Sequence, residues 1–181
     1  MIVTVGSKWL LSHLDDPNII IIDGRGDMPY RFGHIKNSLP LSIDHVISTA
    51  PNGANLVIDR SLAEEVFTNF GIDDSKIVVV YGEYLDPSAA RIAWTLMYHG
   101  HTNVKILKIG LSEWQKSGLS VTRQISTQRK QLNKNVHFKS KINPMIRADA
   151  DMIKERQQLQ NQSSTVIVDA RSPMEHMQAR I

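Results

Sequence analysis

The stretch IIIIDGRGDMPYRFGHI (Ile19–Ile35) is answered far down the chain by VIVDARSPMEHMQARI (Val166–Ile181). With Asp169 laid on Asp23, Arg171 falls on Arg25, Met174 on Met28 and Ile181 on Ile35, four identities in the thirteen positions from Asp23 to Ile35. Each copy passes from an unbroken apolar run into Asp-x-Arg. Four consecutive isoleucines leave no polar face, the pattern of a strand covered on both sides. Internal repetition of this kind bears on the whole architecture, because each copy carries its own set of elements.

On either side of the first copy the elements alternate. SKWLLSHL (Ser7–Leu14) reads as a short helix with Ser7 as its cap, and DDPN separates it from the strand. PNGAN (Pro51–Asn55) is a loop. DRSLAEEVFTNFGI predicts a helix capped by Ser61, with Glu64 completing a capping box and Gly71 stopping it. KIVVVY (Lys76–Tyr81) is a second buried strand, and the helix after it takes Pro87 in its first turn and ends at Gly100. NVKILK is a third strand and LSEWQKSG a last short helix. Strands alternating with helices at this spacing predict an α/β fold with a central parallel sheet covered on both faces. A helix over PMIRADADMIKERQQLQ and a strand over TVIVDAR then begin the second copy. The distance from Met1 to Asp23 equals that from Arg147 to Asp169.

At 181 residues, 41% apolar and 22% charged, the chain has the makeup of a soluble globular protein. No apolar run approaches the ~20 residues that span a bilayer, so no membrane partner is expected and the default location is the cytoplasm. Charge is uneven: residues 1–120 are net −3, residues 121–181 net +6, and the seven basic residues of 121–147 have no acidic neighbour among them. That shift predicts a domain over 1–125, a basic linker over 126–144, and an incomplete second domain over 145–181. With one aromatic, Phe138, the basic stretch suits a solvated linker better than a nucleic-acid platform.

The chain contains no cysteine, which removes disulfides, thiolate metal sites and thiol nucleophiles together.

The order of segments resembles the rhodanese family, in its tandem two-domain thiosulfate sulfurtransferase form. IIIIDGR, GHIKNSLPL, IVVVYGEYLDPSAARIAWTLMYHGH, VKILKIGLSEWQKSG and INPMIRADADM carry the resemblance, over most of residues 1–125 and more thinly over 141–181. It implies a three-layer fold, followed by the first helix and strand of a second copy. It also implies sulfur transfer from thiosulfate to cyanide or another thiophilic acceptor through a cysteine persulfide, with no cofactor. A loop between a parallel strand and a helix N-terminus, where amides and the helix dipole favour a thiolate, holds that cysteine.

Counted back from Gly100, the cysteine position of the first domain falls near Glu83, within the loop Glu83, Tyr84, Leu85, Asp86, Pro87, Ser88. A carboxylate cannot carry sulfane sulfur. The corresponding position of the second domain lies beyond Ile181. Where the family's catalytic domain commonly has an arginine six residues after the Asp of Asp-x-Arg, this chain has Glu175, with Arg180 out of register. The resemblance therefore implies a truncated sulfurtransferase that does not react by itself, meeting a small sulfur-containing anion once a second domain completes it. A cysteine-free binding or regulatory module on the same scaffold is the alternative.

Asp23, Arg25, Asp169 and Arg171 read first as structural, an Asp at the end of a buried strand pairing with backbone or Arg. Arg25-Gly26-Asp27 matches the adhesion tripeptide, and Gly24-Arg25-Gly26 opens like a dinucleotide fingerprint, but Pro29 occupies the third glycine position of that fingerprint. The seven histidines show no metal-binding spacing. Trp9, Trp94 and Trp114 are expected as core anchors.

Overall fold

The computed structural model describes residues 3–125, 136–158 and 166–178. The chain divides into two compact units, Met1–Pro144 and Met145–Ile181.

The first unit is built on β1 (Val3–Val5), β2 (Ile19–Asp23), β3 (Ser38–Pro40), β6 (Ile77–Tyr81) and β7 (Val104–Leu107). They form one parallel sheet in the order β1-β7-β6-β2-β3. β2 lies between β6 and β3, and its last residue, Asp23, registers with Tyr81 on one side and Pro40 on the other. Alternate residues serve opposite faces. Ile20, Ile22, Val78 and Val80 pack with α3 (Arg60–Asn69) and α4 (Ser88–Tyr98) through Phe67, Ile92 and Leu96. Ile19, Ile21, Val79 and Tyr81 pack with α1 (Ser7–Leu11) and α5 (Leu111–Lys116) through Leu10, Leu111 and Trp114. The four isoleucines of β2 are all buried, each such side chain contributing about 1.5–3 kcal/mol. This is the expected α/β fold, a central parallel sheet between two helical layers.

Several local readings are corrected. Asp59, not Ser61, caps α3 by accepting from the Leu62 amide at 2.9 Å, and Glu64 turns away to accept from the Ser140 amide at 2.9 Å. Gly6 rather than Ser7 precedes α1, which ends at Leu11. Of the tryptophans only Trp114 is fully buried; Trp9 and Trp94 are half-buried, Trp94 stacking on Tyr98 and carrying Arg91 over its ring. The short α2 (Asp27–Phe32) and the antiparallel ribbon of β4 (Ile47–Thr49) and β5 (Asn55–Val57) go beyond the sequence reading.

The basic segment is not wholly a solvated linker. Residues 126–135 lie outside the described residues, but Phe138 is buried in the core against Phe67, with ring centroids 4.9 Å apart. Ser140 Oγ lies 2.8 Å from Nδ1 of buried His99, and the Lys141 and Asn143 amides donate to the carbonyls of His99 and Tyr98. An apolar ring and hydrogen bonds from the amides of Phe138, Ser140, Lys141 and Asn143 tie the segment to the core, so the first unit extends to Pro144.

The second unit holds α6 (Ala150–Gln158) and α7 (Pro173–Gln178). The strand expected over TVIVDAR is absent among the described residues: 166–170 carry no strand. A strand exists by pairing, and an isolated one does not hold its hydrogen bonds against water. No helix among the described residues is long and apolar enough to cross a membrane.

Candidate functional site

The carboxyl ends of β2 and β6 carry the residues singled out by sequence. Ligands of open parallel sheets bind at this edge. Asp23 is fully buried. Its Oδ1 accepts from the amide of Arg25 at 3.1 Å and from Nε at 2.9 Å, while Oδ2 accepts from Nη2 at 2.6 Å. Nη2 also donates to the Gly33 carbonyl at 2.7 Å. The hydroxyl of Tyr81, across the register, donates to Asp23 Oδ2 at 2.7 Å and accepts from the Ile35 amide at 3.1 Å. Burial, reinforced by the charge of Asp23, pushes the Tyr81 phenol well above its usual range. Burial acts to lower the Arg25 pKa, but the hydrogen bond to Asp23 together with the charges of Asp23, Tyr81 and Glu83 raises it. Tyr81 escaped the sequence reading, since it ends an apolar run and reads as core.

From this buried base Arg25 reaches outward. Its Nη1 lies 3.8 Å from Oε1 of Glu83, whose other oxygen accepts from the Ser112 amide at 3.2 Å. Glu83 therefore ties the loop after β6 to the start of α5. The loop then turns at Leu85, a non-glycine residue in the left-handed region with φ 66°. Asp86 accepts from both the amide and the hydroxyl of Ser88, at 2.9 and 2.7 Å, in the first turn of α4. Pro87 precedes that helix. Tyr84 and Leu85 stand out into solvent, 70% and 86% exposed. Gly110 presses on the loop from beneath: a Cβ there would lie 2.6 Å from the Tyr84 nitrogen. Loop and neighbours enclose a cleft of about 170 Å³, lined by Gly82, Glu83, Asp86, Ala89, Lys108 and Gly110 among others.

The structure thus gathers Asp23, Arg25 and Glu83 into one chain of contacts and sets Glu83 to Asp86 along the cleft beside it, with Pro87 and Ser88 leading into α4. The chemistry available is limited. No thiol is present, Glu83 is paired, and the Asp86 carboxylate occupies the helix start where an anion would sit.

Asp169 and Arg171 belong to the second unit and repeat the clamp. Arg171 donates to Asp169 from its amide at 3.0 Å, from Nε at 3.0 Å and from Nη2 at 2.6 Å. Arg180 lies outside the described residues.

Comparison with known proteins agrees with this geometry. The rhodanese-like domain family matches residues 7–117. The sulfur carrier protein TtuD of Thermus thermophilus is 26% identical over 179 residues, 96% of this chain and 59% of that protein. The 3-mercaptopyruvate sulfurtransferase of Escherichia coli is 33% identical over 126 residues, 64% of this chain and 44% of that enzyme. The crystal structure of the E. coli 3-mercaptopyruvate sulfotransferase SseA superposes with a TM-score of 0.74 at 23% identity, covering 97% of this chain and 68% of that one. The chain therefore spans about half the length of these curated relatives.

Proposed function

The chain belongs to the family of rhodanese-like domains, and on that premise we propose that it is the non-catalytic portion of a tandem sulfurtransferase. In this reading residues 1–144 are a complete repeat without a sulfur carrier, and residues 145–181 open a second repeat. The family reaction moves sulfur from thiosulfate to cyanide or another thiophilic acceptor through a cysteine persulfide, and the cysteine would come from the second repeat.

One observation carries the reading. The loop between β6 and α4 keeps its place at the sheet edge but presents Glu83, fixed between Arg25 and the Ser112 amide, where the reaction needs a thiolate. The duplicated Asp-x-Arg clamp supports the tandem arrangement. A cytoplasmic setting belongs to the same proposal. A small sulfur-containing anion would be met only by the completed pair of repeats.

The test is a thiocyanate assay on the purified 181-residue chain with thiosulfate and cyanide, repeated with 3-mercaptopyruvate as donor. The expected rate is that of the protein-free blank. Turnover at enzymatic rates by this cysteine-free chain would overturn the proposal. A second reading, a binding module, is favoured by the exposed Tyr84–Leu85 tip beside the cleft. It predicts unchanged loop solvation when a second repeat is joined, which solvent labelling of Tyr84 reads directly.

A further inference from the structure

Residues 136–143 cross the first unit over two histidines, His99 and His101, which flank Gly100 just after α4. Four main-chain amides hold the segment. Phe138 donates to Thr68 Oγ1 at 2.9 Å and Ser140 to Glu64 Oε1 at 2.9 Å. Lys141 donates to the His99 carbonyl at 2.9 Å and Asn143 to the Tyr98 carbonyl at 2.7 Å. The main chains touch at Gly100, whose φ of 93° suits glycine and where a Cβ would lie 2.5 Å from the Lys141 carbonyl oxygen. The Phe138 ring packs 4.9 Å from the Phe67 ring and 6.3 Å from that of His101. The ladders of the five-stranded sheet run without this segment. It is a strap laid over finished structure.

Both imidazoles are buried, and both are placed to be neutral. His99 Nε2 lies 3.2 Å from the Ile58 carbonyl oxygen, which can only accept, so that nitrogen carries the proton and Nδ1 accepts from the Ser140 hydroxyl at 2.8 Å. A second proton on Nδ1 would deprive the buried Ser140 hydroxyl of its acceptor. Neither ring nitrogen of His101 makes a well-formed hydrogen bond among the described residues, although the main chain of Lys76 and Asn103 faces the ring. A charge there would sit unsolvated beside the Phe138 ring. Asp59, Arg60 and Glu64 face His99, and Asp73 and Asp74 face His101. The strap's own Lys141 engages Asp74 at 3.1 Å. Lifting the strap therefore admits water to both rings and frees Asp74 to meet a charged His101.

We propose that residues 136–143 are an acid-released strap: protonation of His99 and His101 unseats Phe138 and Ser140 and leaves the sheet folded. Burial lowers the pKa of both histidines, so the closed strap keeps the rings neutral. Its hold is complete above the ordinary value of 6.5 and weakens as pH falls below it. Release uncovers apolar surface, because Phe67 loses its ring partner and Phe138 enters solvent. Met145 opens the second unit, so release also adds these residues to the connection between the two units. The pH response is thereby confined to one seam of the first unit.

The experiment is amide hydrogen exchange on the full 181-residue chain, followed by NMR at pH 7.5 and 5.5, with each rate divided by that of an unstructured chain at the same pH. Protection at the amides of Phe138, Ser140, Lys141 and Asn143 is expected to fall about tenfold at the lower pH, which lies one unit below the ordinary histidine value. Val78, Val79 and Val80, inside the sheet, are expected to keep theirs. Unchanged protection at the four strap amides would overturn the proposal. An equal fall at Val78 to Val80 would overturn it too, since the opening would then be that of the whole unit. In the double variant His99→Asn, His101→Gln the strap should be equally protected at both pH values. A tenfold fall that persists there would give the response to other groups and refute the assignment. The parent chain decides between local release and none whether or not that variant folds. None of these readouts depends on sulfur transfer, so they stand apart from the function test.

Discussion

Arg171 grips Asp169 with the same three donors, to within about 0.1 Å, that Arg25 uses on Asp23, yet the two pairs live in different solvents. The Asp23 side chain is fully buried and that of Arg25 is 9% exposed, whereas Asp169 and Arg171 are 36% and 48% exposed. An exposed pair is screened by water and is worth about 0–1 kcal/mol. Removing one partner of a buried pair leaves an uncompensated charge and costs about 3–5 kcal/mol. Asp23→Ala should therefore lower unfolding stability in urea by that larger amount, and Asp169→Ala should leave the main transition within about 1 kcal/mol of the parent. Equal effects of the two substitutions would contradict the assignment of distinct environments.

The loop beside this pair is held by contact from below. Gly110 has no room for a side chain, since a Cβ would approach the Tyr84 nitrogen at 2.6 Å and the Glu83 carbonyl carbon at 3.0 Å, both main-chain atoms. Gly110→Ala is expected to displace the loop and cost about 1–3 kcal/mol, in the range of overpacked cores. Limited proteolysis with chymotrypsin reads the local part: cleavage after Tyr84 should accelerate relative to other sites. A variant with unchanged melting temperature and cleavage pattern would show that loop and glycine are not in contact.

What could be read from the chain alone follows from where the signal is local. Ile19 to Ile22 and Ile77 to Val80 announce central strands because every residue is apolar, and Pro87 with Gly100 brackets α4. α2 was hidden because Gly26 and Pro29 read as breakers, whereas Gly26 supplies the φ of 85° that starts the helix and Pro29 lies in its first turn. Ser61 and Asp59 both satisfy a capping pattern, and only the Ser140 amide, 76 residues from Glu64, decides between them. The strand expected over TVIVDAR is missing from 166–170 for a related reason: its apolar pattern is strong, but strand structure depends on neighbours. At the site, Asp23, Arg25 and Glu83 were legible as positions. Their bracing by the Tyr81 hydroxyl on Asp23 and by the close approach of Gly110 to the loop was not, because both of those residues serve equally well as packing.

Two buried histidines set a pH dependence. Burial holds His99 below the usual imidazole value against the raising effect of the Ile58 carbonyl, and burial likewise lowers His101 against the raising effect of Asp74. Asp59, Arg60 and Glu64 face His99, and Asp73 and Asp74 face His101. In both cases the unfolded chain binds the proton more readily than the folded one. Their contribution to stability is therefore fully present above the ordinary value of 6.5 and is lost as pH falls below it, toward the lower folded values. Urea midpoints should decline from pH 7.5 to 5.5, and His101→Gln should flatten the decline. A midpoint that rises over this interval would reverse the sign of the assignment. Asp15 and Asp73, also lowered, act in the more acidic range around their ordinary value of 3.8.

The last prediction concerns where the first domain ends. A boundary at residue 125 leaves out Phe138, which lies in the core with 4% exposure against Phe67, and Ser140, which is held by Glu64 and His99. The Phe138 amide adds a bond to Thr68 Oγ1 at 2.9 Å, so the segment is fixed by main chain and side chain together. Phe138→Ala in the full chain should cost about 3–5 kcal/mol, the range for a buried aromatic truncated to a cavity. A protein comprising residues 1–144 should retain the stability of the parent's main transition, while one comprising 1–125 should lose an amount similar to Phe138→Ala. The deletion also exposes His99 and the Ile58 carbonyl it meets at 3.2 Å, so its pH dependence should weaken along with its stability. Matching melting curves for 1–125 and 1–144 would return the segment to the role of a linker, and would mean that the Phe67–Phe138 contact contributes nothing to the fold.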